Sequence, residues 1–497
     1  MAALFSLLSP ETAMLVSMVV PVLGLCAVAL LDRQPNLREA ASLITGAVTL
    51  YCTLTVFIAV GAGERPTVEI VEMLPGLSLR LAAEPLGALF ALIASGLWIV
   101  NTVYSIGYMR GHGAKAQTRF YMAFCAAISA ALGIAYAGNL LTFFLFYEAL
   151  TVSTFPLVTH ERNGAARAGG RVYLGILMGT SIGLLLPAVI WIYGLTGTTD
   201  FVLGGILGEL VQNMPVVFAI LLSLSVWGTA KAALMPFHPW LPNAMVAPTP
   251  VSAFLHAVAV VKAGVFGVLK ISLYTFGASN IAASGMSDVI LYVAAFSILA
   301  ASLIAMTQDN LKARLAYSTV SQLSYVTLAA MLATRYGILG GGTQIAAHAL
   351  GKMTLFMCAG AIATAHHLKY ISDMRGLGRI MPYTFAAYII GACSIIGLPP
   401  LAGTWPKFFL MLGSAETGDL ILIAVLIISS LLNIVYLLPP AVRAFMDPVP
   451  EGMDDSRIQE APAAALVPAW VTAVGCLVLF FLMGDLVRYL EPLVEGL

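Results

Sequence analysis

Apolar stretches of about 20 residues recur along the whole chain, and that length matches what a bilayer of about 30 Å asks of a helix. We read fourteen of them, at about 11–31, 39–62, 86–109, 119–138, 139–160, 171–195, 215–245, 250–274, 287–306, 311–334, 338–366, 383–413, 418–446 and 463–483. Of the 497 residues, 60% are hydrophobic and 10% charged. Soluble domains carry roughly 25% charged residues, so the expectation is an all-α polytopic membrane protein. The zero net charge and the lack of a basic tail speak against nucleic acid as a partner. The first stretch has no basic residues before it and no small-residue cleavage site, so it reads as a retained span.

Loops on one side of this threading carry fifteen Lys and Arg, among them Arg33, Arg110, Lys115, Arg162, Lys369 and Arg443. The other side carries four: Arg65, Arg80, Arg335 and Arg488. The positive-inside rule makes the first side cytoplasmic. Both termini are then expected on the outer face of a cell inner (plasma) membrane. On that face, Thr67 to Glu84 alternates apolar and polar residues around Pro75-Gly76, which predicts a short β-hairpin. Asp447 to Pro462 reads as an acidic cytoplasmic loop.

The remaining five basic residues, Lys231, Lys262, Lys270, Lys352 and Lys407, fall inside apolar spans. Each costs about 2.5–3.5 kcal/mol at mid-bilayer on insertion scales, so an intramembrane lysine is a functional-site hypothesis by default. Lys270 lies near the outer end of its span and is expected to snorkel to the interface. Glu148 sits near the middle of the fifth span, either locking two helices in an ion pair or tuning a lysine. His256 and Lys262 share the eighth span. His348 and Lys352 share the eleventh, four residues and one helix face apart. Histidine protonates near neutral pH and suits a relay. Lysine can hold or release a proton as its surroundings change, which arginine cannot.

Two spans are interrupted by proline, one at KAALMPFHPWLP (231–242) and one at GLPPLAGTWPK (397–407), each with a lysine beside the break. They lie five spans apart. Broken helices in corresponding halves are the best sequence pointer to a transport site. They suggest two inverted five-helix repeats, 119–274 and 287–446, after an N-terminal segment 1–118 and before 447–497. No dinucleotide fingerprint, P-loop, haem motif or metal cluster is present in the sequence, and the six cysteines form no CxxC, so no cofactor is expected.

Taken together, LFYEAL around Glu148, KAALMPFHPWLPNAMVAPTPVSAFLHAVAVVKAGV at 231–265, NLKARLAYSTVSQLSY at 310–325, HALGKMTLF at 348–356 and GLPPLAGTWPKFF at 397–409 resemble the proton-conducting antiporter-like subunits. That family is shared by Mrp-type sodium/proton antiporters, respiratory complex I and membrane-bound hydrogenases. Length and Lys407 are similar to the D-type member of Mrp antiporters, whereas PTPVSAFLHAVAVVKAGV is more similar to the large subunits. The resemblance, which runs from about 70 to 445, implies a Glu148–Lys231 pair. It also implies a polar axis through His256, Lys262, His348 and Lys352, ending at Lys407. The partners it implies are other membrane subunits of a multisubunit assembly, with protons, and sodium as candidate cation, as cargo. The alternative it leaves is a proton-pumping subunit in the membrane arm of an oxidoreductase.

Overall fold

The computed structural model describes residues 8–285, 287–449, 457–495 and 497. Among the described residues, eleven helices are long and apolar enough to cross a membrane, from Pro10–Leu30 to Ala463–Phe481. Pro215–Gly228 and Pro382–Ile396 are shorter apolar helices, and Leu311–Leu332 is a long, more polar one. Many helices start on a local signal. Asn139, Asn163 and Asn310 accept a hydrogen bond from the backbone three residues on, which satisfies an otherwise orphaned donor. Proline occupies the first turn of Pro35–Gly61, Pro85–Gly111 and Pro215–Gly228, where its missing N–H costs nothing.

The bundle is sorted by polarity. In the most apolar window of Thr249–Phe276 every residue is buried, and in that of Arg335–His366 94% are, against 33% for Ala463–Phe481 and 39% for Pro10–Leu30. The two innermost helices are the ones that carry His256, Lys262, Lys270, His348 and Lys352. Lipid-facing positions go to apolar residues and charges turn inward, as the cost of charge in hydrocarbon requires.

Both proline-rich interruptions are real breaks. The first leaves helix Pro215–Gly228, passes a 3₁₀ turn at Ala230–Ala232 and resumes at Trp240–Asn243. The second separates Pro382–Ile396 from Thr404–Glu416. Gly397 ends the earlier half with φ of +93°, a conformation open to glycine. The span read as continuous at 250–274 also bends, between Thr249–Ala257 and Val260–Ile271, so His256 and Lys262 sit on opposite sides of a kink.

Strands Thr67–Leu74 and Leu77–Ala82 form an antiparallel hairpin, with Thr67 opposite Ala82 and Leu74 opposite Leu77. Gly76 turns it with φ of +74°. Arg80 pairs with Asp200 at 2.9 Å, and Asn139 Nδ2 donates to Ser78 O at 2.6 Å, which ties the hairpin to the bundle. Residues 450–456 of the acidic loop lie outside the described residues. Past them, Glu460 accepts from the backbone N–H groups of Tyr383 and Thr384, a carboxylate at the positive end of the helix Pro382–Ile396.

Candidate functional site

Lys231 stands in the first break and is fully buried. Its Nζ donates to Tyr147 O at 2.8 Å and to Thr151 Oγ1 at 2.7 Å, and lies 3.1 Å from the centroid of the Tyr147 ring. Tyr147 and Thr151 are four residues apart on helix Leu140–Val158, so they share the face turned to Lys231. Glu148 comes one residue after Tyr147, about 100° further round. It is half-buried, and both its carboxylate oxygens are buried without a hydrogen-bond partner. The direct Glu148–Lys231 pair implied by sequence is therefore not formed. The lysine is held by neutral groups, and Glu148 stands next in the chain to its partner Tyr147.

The two innermost helices meet at Lys262 and His348. Lys262 Nζ lies 2.8 Å from His348 Nδ1, with both residues buried. A lysine and a histidine at hydrogen-bond distance cannot both be fully protonated without strong repulsion, so this pair shares hydrogen between two nitrogens. His348 Nε2 is buried and unpartnered. So are both ring nitrogens of His256, whose ring packs 4.6 Å from Phe356. His256, Lys262 and Lys352 all lie within electrostatic reach of His348.

Lys352 is fully buried and donates to Ser318 Oγ at 2.6 Å and Leu315 O at 3.3 Å. Lys407 lies in the first turn of Thr404–Glu416. It donates to Ile396 O at 2.7 Å and Ser430 Oγ at 3.2 Å, and its Nζ is 5.6 Å from the Tyr325 ring centroid. Ile396 is the last residue of the preceding half-helix, so Lys407 caps a negative helix end.

Residues 137–433 match the family model described as NADH:quinone oxidoreductase/Mrp antiporter, transmembrane. The chain belongs to that family.

Its relatives fall in both branches. NADH-quinone oxidoreductase subunit N of Desulforudis audaxviator is 29% identical over 91% of each chain. NAD(P)H-quinone oxidoreductase chain 5 of Picosynechococcus is 32% identical over 67% of this chain and 50% of its own length. A Na(+)/H(+) antiporter subunit of Alkalihalophilus pseudofirmus is 28% identical over 82% of this chain and 52% of its own. The chain thus spans about nine-tenths of the first relative and about half of the other two. Two solved structures share the fold, each with a TM-score of 0.85. One is from the archaeal membrane-bound sulfane sulfur reductase, at 23% identity and covering 97% of both chains. The other is from the Mrp complex of Dietzia, at 19% and 98% of both. In this family the chain is a multi-pass membrane protein, built like the antiporter-type subunits.

Several residues at the site were not singled out from sequence. Tyr147, Thr151, Ser318, Tyr436 and Ser430 supply the neutral partners and near contacts of the lysines, and none has a charge to betray it. Lys270 departs from the snorkelling expectation. It is 1% exposed and lies 3.0 Å from Glu84 Oε1, under the rings of Phe201, Phe266 and Tyr274. Glu84 also caps helix Pro85–Gly111, accepting from the N–H groups of Leu86 and Gly87 and from Tyr274 OH. A cation finding an already fixed carboxylate at its own depth has no reason to reach for the interface. Opposite the hairpin, a cavity of about 900 Å³ opens between Tyr108, His112, Glu161, Lys312, His367 and Lys369. Burial holds His112, which lies just past the end of its helix, below the ordinary histidine value, and the nearby Lys369 pushes the same way.

Proposed function

We propose that this chain is an ion-translocating membrane subunit of a multisubunit monovalent cation/proton antiporter. It conducts protons through Glu148, Lys231, His256, Lys262, His348, Lys352 and Lys407. One observation carries the reading: four buried lysines, two of them beside helix breaks, hold neutral or shared-proton partners instead of carboxylates. A lysine locked to a carboxylate stays charged. A lysine on hydroxyls, carbonyls and an imidazole can give up its proton and take it back, as a relay requires. In this reading fourteen segments cross the bilayer as two inverted repeats, at 119–274 and 287–446, with the hairpin outside. The cavity at Lys312 opens to the cytoplasm, and Thr249 at its edge starts the helix that carries His256.

The two-way coverage of the subunit N relative supports a second reading, a proton-pumping subunit in the membrane arm of an oxidoreductase. Both readings use one proton path, so the test must identify the host. The complex is isolated through a tag on this chain, its other subunits are identified, and it is reconstituted in vesicles. Small antiporter subunits together with sodium-dependent proton flux support the first reading. Iron–sulfur or nickel subunits support the second. A chain that purifies alone and conducts nothing defeats both.

Orientation has its own test. Single cysteines at 110–118 and 367–380 are expected to label from the cytoplasm, and those at 67–84 from outside, with an impermeant reagent once reactive native thiols are removed. Labelling of all three from one side overturns the topology.

A further inference from the structure

The helix Leu420–Leu437 begins the stretch Leu420–Met446, whose best 18-residue window has mean hydropathy 2.7, the highest of the membrane-length helices among the described residues. Yet Ser429, Ser430, Asn433 and Tyr436 follow one another along it at helical spacing. Ser429 and Asn433 are fully buried, and so is Tyr436. A lipid-facing helix has no need of such a stripe. Buried polar groups cost free energy unless they are paired.

One end of the stripe reaches Lys352 through Ser318, and the other touches Lys407 directly. At one end Tyr436 OH donates to Ser318 Oγ at 3.0 Å, and Ser318 Oγ is the group that accepts from Lys352 Nζ at 2.6 Å. The same Tyr436 hydroxyl is in hydrogen-bond contact with Asn433 Oδ1. At the other end Ser430 Oγ accepts from Lys407 Nζ at 3.2 Å, and Ser429 Oγ accepts from Tyr325 OH at 2.9 Å. Between the ends, Asn433 Nδ2 is buried and no acceptor among the described residues reaches it.

Tyr436 has two oxygen neighbours and one hydroxyl hydrogen. It can donate to Ser318 or to Asn433, but not to both. When it turns to Asn433, its lone pairs accept from Ser318, whose own hydrogen is free because Lys352 is donating to it. All hydrogens then point from Lys352 toward Asn433. Ser430 lies one turn further along the helix, about 5–6 Å away at the level of side chains. That step needs a water molecule, for which Asn433 Nδ2 offers a free donor.

We propose that the stripe Ser430–Asn433–Tyr436, with Ser318, is the proton link between Lys352 and Lys407. The inference rests on the reading of the lysines as a proton relay. In the transfer, Lys352 loses a proton to Ser318 Oγ and becomes a neutral amine. Ser318 passes its hydroxyl proton to Tyr436, whose own hydrogen turns from Asn433 Oδ1 to the water held by Asn433 Nδ2 and passes to it. That water protonates neutral Lys407. One N–H bond breaks at Lys352 and one forms at Lys407. Each hydroxyl ends with one hydrogen, as it began, and one positive charge has moved. Rotation of the hydroxyls resets the chain.

The test compares four variants in vesicles holding the intact complex, matched for assembled complex. Tyr436→Phe keeps the ring and removes the hydroxyl, and is expected to lower cation-dependent proton flux at least about tenfold. It is also expected to raise the ratio of rates in H₂O and D₂O, which a packing defect does not do. Tyr388→Phe is the control. Tyr388 is equally buried, but its hydroxyl donates only to Leu437 O, at 3.1 Å, so it is expected to conduct like the parent. Lys352→Met and Lys407→Met test the underlying relay. If both lysine variants lose flux while Tyr436→Phe conducts like the parent, the link is wrong and the relay stands. If Tyr388→Phe falls as far as Tyr436→Phe, loss of any buried hydroxyl suffices and the link is also wrong. If the lysine variants conduct normally, the relay itself fails. Should Tyr436→Phe not assemble, Asn433→Leu is read the same way, with the same expected loss and the same result overturning the link.

Discussion

Lys231 and Lys407 each stand at a helix break but are held in different ways. Lys231 sits in the break itself, on a 3₁₀ turn, and its partners come from a different helix, Tyr147 and Thr151 of Leu140–Val158. The turn is clasped from outside. Trp240 Nε1 donates to Ala230 O at 2.9 Å, and a methyl group on Gly264 would collide with the backbone at Ala232 N. Lys407 instead stands just past its break and reaches back to Ile396 O, the negative end of the half-helix before it. Beside Lys231 is a carboxylate with two unbonded oxygens, Glu148. Beside Lys407 is a fixed dipole, which cannot titrate and is roughly half a charge. The difference teaches how each lysine can be controlled. Charge near Lys231 can change by a movement or protonation of Glu148. Charge near Lys407 changes when a proton arrives from within the chain, at Lys352.

The largest expected effect tests whether both lysines release protons at all. Arginine keeps the charge and the donors but does not deprotonate at working pH. Lys231→Arg and Lys407→Arg are each expected to lower proton flux on the order of 10²-fold, the lower end of what acid–base groups contribute. Lys407→Glu keeps a titratable group and is expected to retain part of the flux, where Lys407→Leu retains none. If Lys407→Arg conducts like the parent at equal assembly while Lys231→Arg does not, Lys407 is a fixed charge. The comparison would then separate a working site from a structural one.

The second effect concerns Glu148 alone. Because Glu148 makes no hydrogen bond to Lys231, removing its charge should leave the lysine's contacts intact. Glu148→Gln and Glu148→Ala are expected to assemble normally and lose most flux, though less than Lys231→Arg does. Flux and assembled complex are measured on the same membranes. Loss of assembly would mean that Glu148 locks helices, contrary to the geometry. Normal flux would mean that Lys231 needs no tuning charge, which would erase the contrast with Lys407.

What could be read from the sequence follows from the range of each signal. The hairpin, both breaks and the membrane-spanning helices rest on local patterns: Pro75-Gly76 between alternating strands, prolines inside apolar runs, and hydrophobic length. The lysines stood out because charge in hydrocarbon is rare. Their partners did not. Lys231 meets Tyr147 across 84 residues, and Lys262 meets His348 across 86. A single sequence carries no record of which helix faces build that contact. The Glu148–Lys231 pair failed as a direct contact for the same reason, since the family pattern names two residues and the helix phase decides which of Tyr147 and Glu148 points at the lysine. Lys270 was misplaced because Glu84, its partner, was seen only as the end of a hairpin. The stripe on Leu420–Leu437 had a signal that could have been used: Ser430, Asn433 and Tyr436 at helical spacing in the membrane-length stretch of highest mean hydropathy among the described residues.

The smallest expected effect compares the hydroxyl partners of the two lysines. Thr151→Val and Ser430→Ala each remove one acceptor and leave a carbonyl, Tyr147 O for Lys231 and Ile396 O for Lys407. A net hydrogen bond contributes about 1 kcal/mol, so each change alone is expected to slow flux by about three- to tenfold. The two should not be equal. Both hydroxyls donate back within their own helices, Thr151 to Tyr147 O at 3.3 Å and Ser430 to Leu426 O at 2.9 Å, so neither carries its hydrogen onward, and Thr151 only holds Lys231. Ser430 both holds Lys407 and stands at the end of the stripe leading to Lys352. Its removal therefore loses a bond and one wall of the place where the water hands its proton to Lys407, and Ser430→Ala is expected to be the slower of the two. Rates are compared at saturating cation on matched vesicles, so that assembly and cation binding drop out. Equal slowing would make Ser430 a simple hydrogen-bond partner, as Thr151 is. A larger loss with Thr151→Val would invert the asymmetry and place the more demanding proton step at Lys231.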